Sequence, residues 1–362
     1  MFRVLGIAGA RPNFMKIGPV ARALDALPDI EFRLVHTGQH YDERMSQVFF
    51  EELGLPRPHT NLGVGSGSHS EQTANVMLAF EPVCLDWQPD LVVVVGDVNS
   101  TVACALVSAK LGVPVAHVEA GLRSFDRSMP EEINRVVTDR LSRLLFTTED
   151  AANKNLRDEG TPDAHVHFVG NVMIDTLLAC RDRARAARPW EALGVEAGQY
   201  ALVTLHRPSN VDEADSLAAL ADALDAVAAE RSVLFPMHPR TLNRVREFGL
   251  EPRFERVRVL DPMGYVEFLG LLDQAAFVLT DSGGIQEETT ALGVPCLTLR
   301  PNTERPVTVS VGTNRLVPPG SGLLAEAIAE AIQMDVPTDR PPLWDGRAAD
   351  RIASLTHDFL DR

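Results

Sequence analysis

The sequence is short of cysteine, of basic residues and of long apolar runs, and each shortage removes a class of function. Its four cysteines, Cys84, Cys104, Cys180 and Cys296, lie far apart with no C-x-x-C pair. That spacing excludes a zinc site or a disulfide scaffold and fits buried thiols in a reduced, cytoplasmic setting. Acidic residues outnumber Lys and Arg by 50 to 34, for a formal net charge of -16. A general nucleic-acid binder needs a basic footprint, so no nucleic-acid partner is expected. A phosphorylated small molecule remains open, because a few placed cations and backbone N–H groups can override the net field locally. No apolar run is long enough to span a bilayer, and Met1-Phe2-Arg3-Val4-Leu5-Gly6-Ile7 runs into a strand-like stretch without a signal-peptide pattern. No membrane partner is expected. Short repeats and low-complexity tracts are missing as well.

What is present is an alternation of short Val/Ile/Leu-rich runs with longer amphipathic segments, the mark of a parallel sheet covered on both faces. A chain of 362 residues is long for one core, so two α/β units are expected. In the first half the strand candidates are Val4–Ala8, Phe32–Thr37, Leu91–Val95, Val113–Val118, Leu144–Thr147 and His165–Val169. Helices are expected near Phe14–Ala26, Arg44–Leu53, Ser70–Trp87, Ser100–Leu111, Glu131–Leu141 and Thr148–Glu159. A helical stretch, Asp175–Ala187, carries Arg181, Arg183 and Arg185, with Arg188 just beyond, and reads as a solvated face beside a domain junction. The pattern then restarts, with strands at Ala201–Leu205, Val233–Met237, Val257–Leu260, Phe277–Thr280 and Pro295–Leu299. The expected division is 1–172 and 173–345, each doubly wound, with a helix in 346–362 packing back on the first domain. In such folds a ligand sits outside the carboxyl ends of the strands, here in a central cleft where the halves face each other.

The polar motifs fall at those strand ends. Gly9-Ala10-Arg11-Pro12-Asn13-Phe14-Met15-Lys16 is a glycine turn into a helix start, with Arg11 and Lys16 adding charge for an anion. Asp281-Ser282-Gly283-Gly284-Ile285-Gln286-Glu287-Glu288 lets backbone N–H groups approach a phosphate, and packing alone hardly explains its two glycines. Glu288, one turn on, suits ribose hydroxyls or is surface charge. Asp97, Glu119 and the pair Glu131-Glu132 bring carboxylates to one rim. Proton transfer on a carbon centre needs such groups, with pKa values pushed apart by their surroundings. A helix cap or first-turn acid is the ordinary alternative, and Glu132 fits it best. His206 and His238 end adjacent strands and could serve phosphate or shuttle a proton. They lack the spacing of a zinc site. Gly63-Val64-Gly65-Ser66-Gly67-Ser68-His69 has no strand running straight into it and reads as a mobile loop, and His36-Thr37-Gly38-Gln39-His40 ends a strand.

Taken together, Gly9 to Lys16, Gly96-Asp97, His117-Val118-Glu119-Ala120-Gly121-Leu122-Arg123, Pro130-Glu131-Glu132-Ile133-Asn134-Arg135, His206-Arg207, Asp281 to Glu288 and Thr303-Glu304-Arg305-Pro306 resemble the non-hydrolysing UDP-N-acetylglucosamine 2-epimerases. The resemblance runs from Val4 to about Val317. It implies a GT-B-like fold of two Rossmann-like domains and reversible inversion at C2 of UDP-N-acetylglucosamine, giving UDP-N-acetylmannosamine. The implied route is elimination of UDP to 2-acetamidoglucal and re-addition. By the same resemblance Asp97, Glu119 and Glu131 are the proton-transfer candidates, without an assignment of base and acid, and His206 stabilises the departing diphosphate. Arg11, Ser282, Gly283 and Gly284 would hold phosphate, Glu288 the ribose and Phe268 the uracil. Lys16, Arg135, His238 and Arg305 would complete the charged lining. No metal or redox cofactor is expected, and a homodimer serving polysaccharide assembly is implied.

The chain departs from the family pattern in places. Pro208-Ser209-Asn210 follows His206-Arg207 where an acid is usual, and Val307 stands where Glu is usual. Gln39 and Arg207 match a site at which a second substrate molecule activates many members, but Asp42 and Glu71 stand where Gln and Arg are usual. Two carboxylates are poor neighbours for a diphosphate, so weakened or absent substrate activation is expected. Rival readings are a C2 epimerase of a modified UDP-sugar such as a diacetamido uronic acid, a GT-B glycosyltransferase, a hydrolysing epimerase and a non-catalytic nucleotide-sugar sensor.

Overall fold

The computed structural model describes residues 1–38, 52–55, 57–320, 322–334, 336 and 339–362. The chain forms two compact units, Met1–Ala179 with Pro342–Arg362, and Cys180–Pro341.

Seven described strands build the first unit: β1 Phe2–Ala8, β2 Ile30–His36, β3 Thr60–Asn61, β4 Leu91–Val95, β5 Val115–Ala120, β6 Leu144–Thr147 and β7 Val166–Phe168. All pair in parallel, in the order β3-β2-β1-β4-β5-β6-β7. The run Leu-Val-Val-Val-Val of β4 is buried throughout. β-branched residues with no polar alternation suit a strand covered on both faces. The helices are α1 Arg11–Asp25, α2 His69–Trp87, α3 Asn99–Lys110, α4 Pro130–Leu141, α5 Asp150–Asp158 and the first half of α6 Val172–Ala187. On one face Leu5, Ile7, Val92 and Val94 pack with Val76, Phe80, Ala103 and Val107. Strand order reverses between β1 and β4, so the switch-point crevice opens at their carboxyl ends.

Six described strands build the second unit: β8 Tyr200–Thr204, β9 Ser232–Pro236, β10 Arg258–Leu260, β11 Phe277–Thr280, β12 Cys296–Thr298 and β13 Asn314–Leu316. Their order is β10-β9-β8-β11-β12-β13, again all parallel. The switch point here lies between β8 and β11. Its helices include α7 Pro189–Ala192, α8 Pro208–Val211, α9 Ala214–Ala228, α10 Pro239–Glu247, α11 Tyr265–Asp273, α12 Gly283–Leu292, α13 Val307–Ser310 and α14 Leu324–Ile332. Val203, Phe235, Phe277 and Leu297 from the sheet pack with Leu217 and Leu224 of α9.

The unit boundaries fall differently from 172/173 and 345/346, for visible reasons. The first half of α6 buries Val172, Met173, Ile174 and Leu177, and Thr176 Oγ1 donates to the Met15 carbonyl at 2.6 Å. The returning tail is fixed before its helix begins, where Trp344 Nε1 donates to the Thr148 carbonyl at 3.0 Å. The Asp175 carboxylate then accepts the N–H groups of Ala348 and Ala349, at 3.2 and 2.7 Å. These open the final helix, α15 Ala348–Leu360, and a carboxylate is favoured at that end of a helix.

One expectation needs correction. The glycine-rich run after Asn61 follows a strand, the two-residue β3, and is tied to the end of β2. Val64 N–H donates to the Thr37 carbonyl and Gly65 N–H to the Gly38 carbonyl, both at 3.0 Å. The arginine-bearing face of α6 is largely solvated and lies beside the unit boundary, as expected, and there Arg181 and Arg185 both pair with Asp273, at 2.9 and 2.6 Å. Most of the helix expected at Arg44–Leu53 lies outside the described residues. All four cysteines are buried. Among the described residues no helix is long and apolar enough to cross a membrane.

Candidate active site

The first unit's site grows from the ends of β1, β4 and β5. β4 ends in Gly96 at φ +66. A Cβ there would lie 3.0 Å from Lys16 Nζ and 3.3 Å from Asn13 Nδ2, so only glycine makes the turn that presents Asp97. Helix α4 then fixes Asp97 twice. Arg135 donates through Nε and Nη2 to Asp97 Oδ2 at 3.0 and 2.7 Å, and Asn134 Nδ2 donates to the Asp97 carbonyl at 2.9 Å.

Glu119 is the penultimate residue of β5, where the pairing with β6 slips between Val118 and Ala120. Its backbone sits at φ +72. For a residue with a side chain this left-handed conformation costs about 1–3 kcal/mol and persists only where the surroundings over-determine it. The buried Glu119 carboxylate forms an ion pair with the buried ammonium of Lys16, which reaches across from α1. Glu131 and Glu132 open α4 and differ in use. Glu132 accepts from Ser124 N–H at 2.9 Å, Ser124 Oγ at 3.0 Å and Phe125 N–H at 2.9 Å, and from Arg135 Nη1 at 2.6 Å. It is a loop clamp. Glu131 is partly exposed in the first turn.

The second unit's site is built differently. Asp281 follows β11 and is fully buried, yet it accepts from His206 N–H at 3.0 Å, Arg207 N–H at 2.8 Å and Asn210 Nδ2 at 3.0 Å. Burial pushes its pKa up, but His206 and these donors outweigh that and hold it below the usual carboxylate range. His206 Nδ1 lies 3.1 Å from Asp281 Oδ1, an orienting contact that leaves Nε2 as the outward group. The neighbouring His238 ring is 5.9 Å away, centre to centre. His238 Nδ1 accepts from Arg240 N–H at 3.1 Å and caps α10. Its proton therefore sits on Nε2. Burial, then the His206 and Arg240 charges, lower its pKa.

Helix α12 opens after Ser282 with no side-chain cap, and Ser282, Gly283 and Gly284 are partly exposed. The first N–H groups of such a helix favour an anion. Packing does explain one of its glycines, against expectation. A Cβ on Gly283 would lie 2.5 Å from Arg305 Nη1. Arg305 itself pairs with Glu287 at 3.0 Å and with Glu304, while Arg300 grips Glu304 at 2.7 Å. Two cations and two acids thus form a buried, balanced cluster under the loop. Deeper along α12, Glu288 is buried and accepts from Tyr265 Oη at 2.9 Å. Burial drives its pKa up to about 7 despite that hydrogen bond. Phe268 lies half-buried on α11, the helix that begins with Tyr265.

The structure therefore brings Lys16, Asp97, Glu119 and Arg135 together in one unit, with Glu131 at the start of α4. In the other it gathers His206, His238, Ser282, Gly283 and Gly284 after strand ends, with Arg305 packed against Gly283 and with Glu288 and Phe268 beyond. Arg11 opens α1, but its side chain lies outside what is described. Gln39 and Asp42 lie outside the described residues. Arg207 Nε donates to the Asp281 carbonyl at 2.9 Å, and Glu71 serves a capping box with Ser68. Among the described residues no cluster suits a metal ion. The sequence reading missed Asp281 as the group that orients His206, although an acid after a strand was the signal used for Asp97. Tyr265 has no local signal, being far from Glu288 in the chain.

A sequence profile of the family described as UDP-N-acetylglucosamine 2-epimerase matches residues 22–357. The chain belongs to this family. It is 42% identical over 360 residues to the UDP-N-acetylglucosamine 2-epimerase of Methanocaldococcus jannaschii, covering 96% of this chain and 97% of that one. It is 40% identical over 354 residues to the UDP-2,3-diacetamido-2,3-dideoxy-D-glucuronate 2-epimerase of Pseudomonas aeruginosa, covering 97% and 98%. The crystal structure of the M. jannaschii enzyme in complex with UDP-GlcNAc and UDP matches with a TM-score of 0.90 at 41% identity, over 99% of this chain and all of that one. This family member is thus an isomerase, and its two Rossmann-like units are those of a GT-B-like fold.

Proposed function

We propose that this epimerase interconverts UDP-N-acetylglucosamine and UDP-N-acetylmannosamine by eliminating and re-adding UDP. The observation that carries the reading is Glu119, a buried acid on a strained left-handed backbone, paired with Lys16 at the rim that also bears Asp97. Direct removal of the C2 proton is hard, because that carbon is not activated. In the elimination the proton passes to a carboxylate of the first unit. Its electron pair forms the C1–C2 double bond, and the C1–O bond breaks with its electrons leaving on UDP. In the reverse sense UDP adds to C1 and a proton returns to the opposite face of C2. Asp97, Glu119 and Glu131 serve this proton traffic, with Arg135 paired to Asp97 and Lys16 to Glu119. No carbon changes its net oxidation level between substrate and product, so the reaction needs no redox cofactor.

The leaving diphosphate takes its charge to the second unit. Support comes from the uncapped start of α12 and from His206, aimed by Asp281. Preorganised donors at developing charge are worth about 2.7–4 kcal/mol each in comparable sites. Arg11, Ser282, Gly283 and Gly284 hold phosphate, with His238 Nε2–H as a further donor and Arg305 buttressing the loop. Glu288 takes the ribose hydroxyls and Phe268 the uracil. A cytoplasmic homodimer goes with this reading, and sedimentation of the pure chain tests the dimer.

Incubation with UDP-N-acetylglucosamine in heavy water, followed by proton NMR, is the test. Loss of the C2 proton signal with growth of the manno isomer is expected. Absence of exchange sinks the reading for this substrate. A diacetamido uronate is the second candidate, because the P. aeruginosa relative is as similar as the N-acetylglucosamine enzymes. A panel of UDP-sugars ranks the two.

A further inference from the structure

Behind the acid-bearing rim lies a buried ion network that the proposed chemistry does not use. His117, in the middle of β5, is fully buried. Its Nδ1 is 2.6 Å from Asp139 Oδ1 and its Nε2 is 2.8 Å from the Gly96 carbonyl. A carbonyl can only accept. The second oxygen of Asp139 is occupied by Arg123 Nη1 at 2.7 Å and Gly121 N–H at 3.1 Å. Burial alone raises the Asp139 pKa, but His117 and Arg123 outweigh it and keep it below the usual range. With the Arg123 guanidinium and the Gly121 N–H donating to its other oxygen, Asp139 accepts too. With an acceptor at each end, the ring carries a proton on both nitrogens.

The placement of these bonds matters more than their number. Gly96 is the left-handed residue that presents Asp97, and Gly121 is two residues beyond the left-handed Glu119. Asp139 lies on α4, one turn beyond Arg135, which grips the Asp97 carboxylate. The network thus grips the backbone on the strand side of Asp97 and on both sides of Glu119. Hydrophobic packing would fill the same space without directional hold. Leaving a buried charge unpaired is strongly destabilising, so the network resists partial loosening.

We propose that His117 and Asp139 are positioning residues for the epimerase reaction, a doubly protonated imidazole and a carboxylate that together fix the Gly96 carbonyl and so the aim of Asp97, and through Gly121 the bend at Glu119. The inference rests on the reading that Asp97 and Glu119 carry the proton transfer. Catalytic groups held even slightly off line lose rate steeply.

Two substitutions separate the halves of the ring. In His117→Gln the amide nitrogen takes the place of Nε2 and keeps the bond to Gly96. In His117→Asn it takes the place of Nδ1 and keeps Asp139 but releases Gly96. The expected result is a fall in kcat of about 100-fold or more for Asn, clearly less for Gln, with KM and UDP affinity within about threefold for both. Equal losses, or losses in KM and UDP affinity as large as those in kcat, overturn the proposal, since a general stability role makes no such distinction. Should either variant not fold, nitrogen NMR of the intact wild-type protein decides. The two acceptors, Asp139 and the Gly96 carbonyl, require a proton on each His117 nitrogen, and a single protonated nitrogen overturns the proposal. Wild-type protein that exchanges no C2 proton with any UDP-sugar overturns the underlying epimerase reading instead, and takes the positioning role with it.

Discussion

In the first unit the strand ends carry carboxylates, and each has a cation assigned to it: Lys16 to Glu119, Arg135 to Asp97. In the second unit the strand ends carry donors, and an acid stands behind them: Asp281 holds His206 and the N–H of Arg207. The topology is the same, with a sheet order that reverses beside the first strand of each unit. What differs is which charge faces out and which is buried as support. A fold of this kind therefore fixes where chemistry happens, while the one or two residues after each strand fix its sign.

The sharpest way to break this contrast is Glu119→Gln. The amide cannot accept a proton but can still accept a hydrogen bond from Lys16. A fall in kcat of about 10²–10⁴ is expected from loss of a general acid or base. UDP affinity, read by calorimetry, is expected to stay within about threefold, because the UDP residues assigned above belong mainly to the second unit. A matching loss of UDP affinity collapses the division of labour. His206→Ala is the counterpart and is expected to lose about 10²–10³ in kcat, the range for removing one donor from a developing anion. Steady-state kinetics checks it, and the contrast fails if kcat is unchanged.

How much of this was legible in the sequence depends on how local each signal is. β4, β6 and β11 were placed to the residue, because runs such as Leu-Val-Val-Val-Val admit few other structures. β3 and β13 were missed, being a Thr-Asn pair and Asn-Arg-Leu with no apolar run to show them. α10 was not singled out either, since it buries only Thr241 and Val245. At the site the same rule holds. Asp97 and Ser282 announce themselves by following strands, and Glu119 by closing an apolar run. The left-handed bend at Glu119 does not, because nothing in Val-Glu-Ala signals a positive φ. The ion partners were hidden for the opposite reason: Lys16 and Arg135 look like anion binders in sequence, and only the packed structure shows them committed to carboxylates.

The smallest expected effect sharpens the contrast most finely, because it concerns the acid of the second unit that the proposed function assigns to the ribose. Burial lifts the Glu288 pKa to about 7 from an ordinary value of 4.5. The sign follows from proton counting. Between those two values the folded protein binds a proton that the unfolded chain has lost, so this group's contribution to stability falls as pH rises through that window. Glu288→Gln is expected to flatten that slope in denaturant titrations. Ligand binding runs the other way. Ribose hydroxyls donate to a carboxylate better than to a neutral acid, so affinity is expected to rise with pH through about 7. Uridine is the probe to use, since it lacks a phosphate that titrates nearby. An increase of less than about tenfold in uridine affinity between roughly pH 6 and 8 is expected for a single hydrogen-bonded group, and it should vanish in Glu288→Gln. A pH dependence that survives the substitution would place the titrating group elsewhere, with His206 and His238 next in line, and the two units would then differ less than their strand ends suggest.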